Sequence, residues 1–196
     1  MKTSPIIMLC GAAGSGKDTA ANLIAEIMPN TGLISQAEPL KKLGSSLFGF
    51  TEQQLWGPSE FRNAPDPRFN HEETWQAVIN GTQARSEWLS YCGLPQHDNA
   101  LKNWIAKLYD DCFHKSVCLT PRVMLQTLGT EFGRAINHNI WANIAMDKCK
   151  ERLLAGVADL MIITDGRFKN EVLNAKMNNC LTILITTPTV NEVGVA

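Results

Sequence analysis

Between positions 11 and 19 the chain reads Gly-Ala-Ala-Gly-Ser-Gly-Lys-Asp-Thr. This is a G-x-x-x-x-G-K pattern, and it constrains backbone geometry and ligand together. An apolar run, Ile6-Ile7-Met8-Leu9-Cys10, precedes it, and a helix-forming stretch from Thr19 to Met28 follows. Strand, glycine-rich loop and helix in that order are the setting in which such a loop cradles phosphates. Gly11, Gly14 and Gly16 let the backbone around Ser15 turn its N–H groups inward. The helix start adds partial positive charge, and Lys17 brings a point charge to the outer phosphates. These residue types predict a nucleoside triphosphate, ATP, with Mg2+. Asp18 stands where such loops usually set a Ser or Thr hydroxyl against the metal. A carboxylate also serves a hard cation, directly or through water, and Thr19 keeps a hydroxyl one residue later. The change points away from switch GTPases and toward small-molecule kinases.

A chain of 196 residues suits a single domain with a sizeable core. Its net charge of −1 gives no electrostatic footprint for nucleic acid or for an anionic membrane. No apolar stretch approaches the ~20 residues of a membrane span. Six cysteines occur without a C-x-x-C pair, and the N-terminus runs into a strand without a signal peptide. Free thiols in a reducing, cytoplasmic compartment are expected. Cys112, His114 and Cys118 match no standard zinc spacing.

Periodicity predicts strands at about 6–10, 32–35, 160–164 and 181–186. Helices are predicted at 19–28, 37–48 (Pro39 in the first turn), 99–113, 120–128, 140–154 and 170–177. The Pro- and Asn-rich segment 58–72, with Arg62 and Arg68, reads as a loop or short irregular helix. Gly129 is expected to stop the helix that Thr120-Pro121 begins. Strands alternating with helices imply an α/β fold with a doubly wound parallel sheet in three layers. Residues 1–196 then form one domain, with a helical insertion or lid at about 51–118 that closes to exclude water. Ligands in such sheets sit beyond the carboxyl ends of the strands, where both the glycine loop and Asp165 lie.

Asp165-Gly166-Arg167-Phe168-Lys169-Asn170-Glu171 follows an apolar strand. Asp165 is placed as an acidic residue near Mg2+ or its waters, Arg167 as a fork for a phosphate, and Glu171 as a group that steers Arg167 or meets a base or sugar. A helix-capping Asp among surface charges is the plainer reading. In the segment 120–134, Arg122 and Arg134 bracket Gly129-Thr130-Glu131. Such a turn could read a nucleotide, or Arg122 could simply pair with Glu131 on a solvated face.

Taken together, these segments resemble the bacteriophage deoxynucleoside monophosphate kinases. The resemblance rests on Gly-Ser-Gly-Lys-Asp-Thr at 14–19, Ala-Glu-Pro-Leu-Lys at 37–41, Pro-Arg-Val-Met-Leu-Gln-Thr-Leu-Gly-Thr at 121–130 and Asp-Gly-Arg-Phe-Lys-Asn-Glu at 165–171. It covers positions 6 to about 186. It implies ATP-dependent phosphorylation of a dNMP to a dNDP, with Lys17, Arg122 and Arg167 as the catalytic cations. Gly16, Lys17, Asp18 and Thr19 would hold ATP, with Asp18 and Asp165 toward the metal. Leu40, Lys41, Arg68, Arg122, Gly129, Thr130, Trp141, Asp165, Arg167 and Glu171 would face the monophosphate nucleotide. Ala13 and Gly14 stand where some members carry basic residues. Members usually continue into a further strand and closing helix, so the chain, ending at Ala196, is expected to lack both. The expected partner is the nucleotide substrate, with no nucleic acid and no membrane; homodimerisation is left open. A kinase of another small molecule, such as dephospho-coenzyme A, and a non-enzymatic nucleotide-binding module are the alternatives.

Overall fold

The computed structural model describes residues 4–115 and 117–186. It begins with β1 (Ile6–Cys10), α1 (Lys17–Ile27), β2 (Thr31–Ile34) and α2 (Glu38–Ser46). A helical stretch follows: α3 (Glu52–Trp56), α4 (Ser59–Asn63), α5 (Glu72–Asn80), α6 (Thr82–Cys92), α7 (Asp98–Tyr109) and α8 (Pro121–Thr127). The chain then runs through α9 (Ile140–Leu154), β3 (Leu160–Gly166), α10 (Lys169–Met177) and β4 (Leu181–Leu184). Two compact units result: residues up to Ala37 together with those from Trp141 onward, and the contiguous segment Glu38–Ile140.

The first unit is a parallel sheet in the order β2-β3-β1-β4. Parallel strands need crossover connections, and α1 (β1 to β2) and α10 (β3 to β4) supply two, each passing over one intervening strand. Side chains alternate across the sheet as a period of two requires. Ile6, Met8 and Cys10 of β1 pack with Met161 and Ile163 of β3, and with Met146 and Cys149 of α9 and Ala175 of α10. The intervening Ile7 and Leu9 pack with Ile162, Ala21 and Ile24 on the α1 side. Helices on both faces explain why β3 reads as an unbroken apolar run. This is the expected three-layer α/β arrangement, and the strands lie within a residue or two of their predicted positions. The expected lack of a further C-terminal strand and helix bears on residues 187–196 and lies outside the described residues.

The second unit is helical. Its core is an aromatic cluster in which Phe48, Phe50, Phe69, Trp75, Trp104 and Tyr109 meet with ring centres 5.0–6.1 Å apart. Such contacts stabilise beyond the area they bury. Trp75 also donates from Nε1 to the Phe69 carbonyl at 2.9 Å. Thr51 caps α3 in a reciprocal box with Gln54. The segment 58–72, expected as a loop or short irregular helix, contains α4 and a 3-10 turn at Pro67–Asn70 capped by Asp66.

One helix end differs from expectation. α7 continues as π-helical turns over Asp110–His114 and so ends within a residue of its predicted limit, whereas α8 continues likewise over Leu128–Arg134. Gly129 therefore does not stop the helix. Leu128 and Phe132 are both buried, and their i, i+4 spacing carries the apolar face past the glycine. That burial outweighs the cost of a helical glycine, about 1 kcal/mol.

Candidate active site

In the sheet unit, the glycine loop joins the end of β1 to the start of α1. Gly11 donates its N–H to the Gly166 carbonyl at 3.1 Å. A Cβ at Gly11 would lie 2.4 Å from the Ile185 carbonyl oxygen, so only glycine fits this close approach. Gly16 caps α1 in the left-handed region, at φ 87°, a conformation side chains disfavour. The first turn of α1 thus begins with N–H groups that lack helical partners.

Lys17 is 6% exposed. Its ammonium donates to the carbonyls of Gly11 at 3.0 Å and Ala12 at 2.6 Å, and to Ser15 Oγ at 3.4 Å. Among the described residues it pairs with no carboxylate. Buried charge is tolerable only when compensated, and here the loop's own peptide dipoles compensate it. Asp18 and Thr19, next on α1, are exposed.

At the end of β3, Asp165 accepts three hydrogen bonds. Its Oδ1 takes the N–H of Gln36 at 2.8 Å, and its Oδ2 takes the Ser35 hydroxyl at 2.8 Å and the N–H of Ala37 at 3.2 Å. The carboxylate so secures the backbone just ahead of α2 rather than capping α10, the helix that follows it in sequence. Glu171 accepts the backbone N–H groups of Arg167 at 2.8 Å and Phe168 at 3.0 Å. It braces the start of α10, and the Arg167 side chain extends into solvent. Cys10 senses both neighbouring segments. Burial pushes its thiol up, the Glu171 charge pushes it further, and the Lys17 charge opposes both.

In the helical unit, Leu40 is buried on α2, and Lys41 sits with its ammonium 5.4 Å from the Trp56 ring centre. Arg68 closes its fork on the buried Asp66: Nε lies 3.0 Å from Oδ1 and Nη2 lies 2.7 Å from Oδ2. The Arg68 backbone N–H at 3.2 Å and the Gln54 amide at 3.0 Å also donate to this carboxylate. Burial alone would raise the Asp66 carboxyl, but these bonds and the Arg68 charge outweigh it and hold it below the usual carboxylate range. Arg122 donates from Nε to Oδ1 of Asn63. It does not pair with Glu131, whose carboxylate meets Lys107 at 2.6 Å. Gly129 and Thr130 lie within the π-helical turns, where the Thr130 hydroxyl donates to the Gln126 carbonyl at 2.8 Å. Trp141 belongs to the sheet unit, in the first turn of α9, and is buried.

The expected site residues fall in two groups. Gly11, Gly14, Ser15, Gly16, Lys17, Asp18, Thr19, Trp141, Asp165, Arg167 and Glu171 belong to the sheet unit. Leu40, Lys41, Arg68, Arg122, Gly129 and Thr130 belong to the helical unit. Two residues were not singled out by the sequence. Gln36 is 5% exposed, and neither its amide oxygen nor its amide nitrogen has a partner. Arg62, noted only as a loop arginine, lies on α4 beside Asn63. The run Ser35-Gln36 directly after a strand end was the available signal for Gln36.

All six cysteines are free. Burial, followed by the charges of Asp111 and Cys118, pushes the Cys112 thiol up to about 11. Among the described residues no group of three or more His, Cys, Asp or Glu side chains is placed to hold a metal, and no helix is long and apolar enough to cross a membrane.

No family model matches the chain. It is 30% identical over 190 residues to the deoxynucleoside-5'-monophosphate kinase of Escherichia phage T5, an alignment that covers 86% of this chain and 70% of that one. It is 38% identical over 176 residues to an Acanthamoeba polyphaga mimivirus protein whose name assigns it provisionally as a deoxynucleotide monophosphate kinase. Here the alignment covers 85% of this chain but only 65% of the relative.

Proposed function

The chain belongs to the deoxynucleoside monophosphate kinase family, and from that premise we propose that it transfers the γ-phosphoryl group of ATP to a dNMP, releasing dNDP and ADP. The observation that carries this reading is the buried Lys17 ammonium, held by the carbonyls of its own loop and by no acid among the described residues. A cation held only by the carbonyls and a hydroxyl of its own loop is free to exchange them for phosphate oxygens.

Loop N–H groups at the start of α1, with Lys17, hold the triphosphate. The nucleophile is a phosphate oxygen of the dNMP. Its second pKa is about 6, so it is largely ionised at neutral pH and needs no general base. What the chain must do is position two polyanions and neutralise the charge that spreads during transfer. Lys17, Arg122 and Arg167 are assigned that task. Leu40, Lys41, Arg68, Gly129, Thr130, Trp141, Asp165 and Glu171 are assigned to the monophosphate nucleotide.

The donor set suits Mg2+, which favours one or two carboxylates with waters and substrate phosphates over an all-protein cage. Asp18 is exposed on the first turn of α1, and Thr19 adds a hydroxyl. Asp165 is engaged by three donors and would act through the metal's waters. When bound, the ion supplies charge neutralisation on the phosphates.

The test is a coupled ADP-release assay of the purified chain with dGMP, dTMP, dCMP, dAMP and dephospho-coenzyme A. At least one dNMP should stimulate release, and dephospho-coenzyme A should not. Release stimulated by no dNMP overturns the proposal.

A further inference from the structure

Arg62 and Arg122 occupy adjoining helices of the helical unit, since α4 packs against α8. Arg62 donates from Nη2 to the Gly57 carbonyl at 2.7 Å, and its Nε is shut off from solvent without a partner. Arg122 spends its Nε on Asn63, the residue that follows Arg62. That leaves both of its Nη groups for another acceptor. Among the described residues, neither guanidinium forms an ion pair. The charged form of Arg62 is disfavoured by burial first and by the Arg122 charge second, with no acid acting in its favour. Arg68 of the same unit differs, because its fork closes on Asp66.

Two guanidiniums held near each other without a counter-charge repel, and the repulsion grows as water is excluded. A chain with no use for this arrangement would put an acid or an apolar residue there. The arrangement is relieved by a dianion whose several oxygens accept from both groups at once, which is the geometry of a guanidinium–phosphate contact. We propose that Arg62 is a substrate-binding residue that forms, with Arg122, a two-guanidinium clamp for the phosphate of the monophosphate nucleotide, with Asn63 fixing the orientation of Arg122. The clamp rests on the kinase reading only for which molecule carries the phosphate.

The test uses the full chain carrying Lys17→Ala, so that the glycine loop contributes little, with inorganic phosphate as the probe against chloride at equal ionic strength. Phosphate should raise the melting temperature of this protein. Adding Arg62→Met removes the repulsion, so the double variant should melt no lower without phosphate, yet bind phosphate at least tenfold more weakly by calorimetry. With Lys17 intact, Arg62→Met should raise the dNMP KM at least tenfold and leave the ATP KM unchanged. If Arg62→Met melts lower and keeps the phosphate response, Arg62 only ties down the Gly57 carbonyl and the clamp is wrong. Should Arg62→Met fail to fold, Arg62→Lys decides: it keeps the charge but loses the fork, and undiminished phosphate affinity overturns the clamp. The two readings fail separately. A phosphate response that depends on Arg62 without phosphorylation of any dNMP supports the clamp and sinks the kinase reading. Phosphorylation by Arg62→Met with an unchanged dNMP KM does the reverse.

Discussion

Lys17 in the sheet unit and Arg62 in the helical unit are both cations drawn partly or wholly out of water with no acid beside them, and the chain treats them in opposite ways. Around Lys17, two backbone carbonyls and a hydroxyl take the place of lost hydration. Around Arg62, one carbonyl accepts, one donor is left over, and the charge that acts on it is another guanidinium. Peptide dipoles satisfy a cation without neutralising it, whereas a like charge leaves it poised for an anion. The difference teaches that a charge can be kept available for a ligand by two routes, and that neither route makes the charge a support of the fold. Removing Lys17 should be nearly neutral for the fold, and removing Arg62 neutral or stabilising.

The largest effect should come from Lys17→Ala. Loss of its charge should lower kcat by about 10²–10³-fold, on the order of 3–4 kcal/mol at the transition state, while the melting temperature stays near that of the parent. Gly11 is half-buried and Ala12 exposed, so water can replace the ammonium on their carbonyls. A large loss of thermal stability would break the comparison, because Lys17 would then be structural.

Asp66→Asn probes the compensated counterpart of Arg62. Asp66 is 4% exposed, and its partner Arg68 is half in solvent. The substitution should destabilise by about 1–3 kcal/mol in chemical denaturation near pH 7. The carboxyl is held below its ordinary value. Its contribution is therefore complete above an unfolded-state pKa of about 3.9 and is lost as pH falls through the lower native value. Stability curves of parent and variant should separate at neutral pH and converge in acid. A constant gap down to pH 2 would show that charge is not what stabilises the pair.

Arg167→Lys comes next, with a smaller effect confined to one substrate. Lys keeps the charge but not the bidentate fork. The dNMP KM should rise or kcat fall about tenfold, near 1.4 kcal/mol, with ATP binding by calorimetry unchanged. A variant that loses ATP and keeps dNMP would reverse the two assignments. The smallest change is expected for Asp18→Asn. It should shift the Mg2+ midpoint severalfold at saturating ATP while moving ATP affinity less. An unchanged midpoint would leave Asp18 only a favourable charge at the start of α1.

The sheet unit was readable because its signals are local. A glycine loop between an apolar run and a helix is contiguous, and β3, buried on both faces, is a contiguous apolar run. The helical unit was less so. The stop assigned to Gly129 ignored Phe132, whose spacing from Leu128 carries the buried face onward. The Arg122–Glu131 alternative considered only neighbours in sequence, and Lys107 on α7 took Glu131 instead. Nothing local marks Asp66 as buried or Arg62 as facing Arg122, because each depends on packing between segments about fifty residues or more apart. The roles of Asp165 and Glu171 were only half visible: their positions beyond a strand end were legible, but the backbone N–H groups they accept were not.

The strand order also sets a timetable for the nascent chain. Among the described residues, β2 pairs only with β3, and β1 only with β3 and β4. The two strands made first thus have no partner until more than a hundred further residues have been translated, which takes on the order of ten seconds. Through that interval the apolar β1 and β2 are sticky edges. The intervening segment is contiguous and helical. It is complete before β3 leaves the ribosome, so the exposed interval is set by the length of the insertion rather than by the strands themselves.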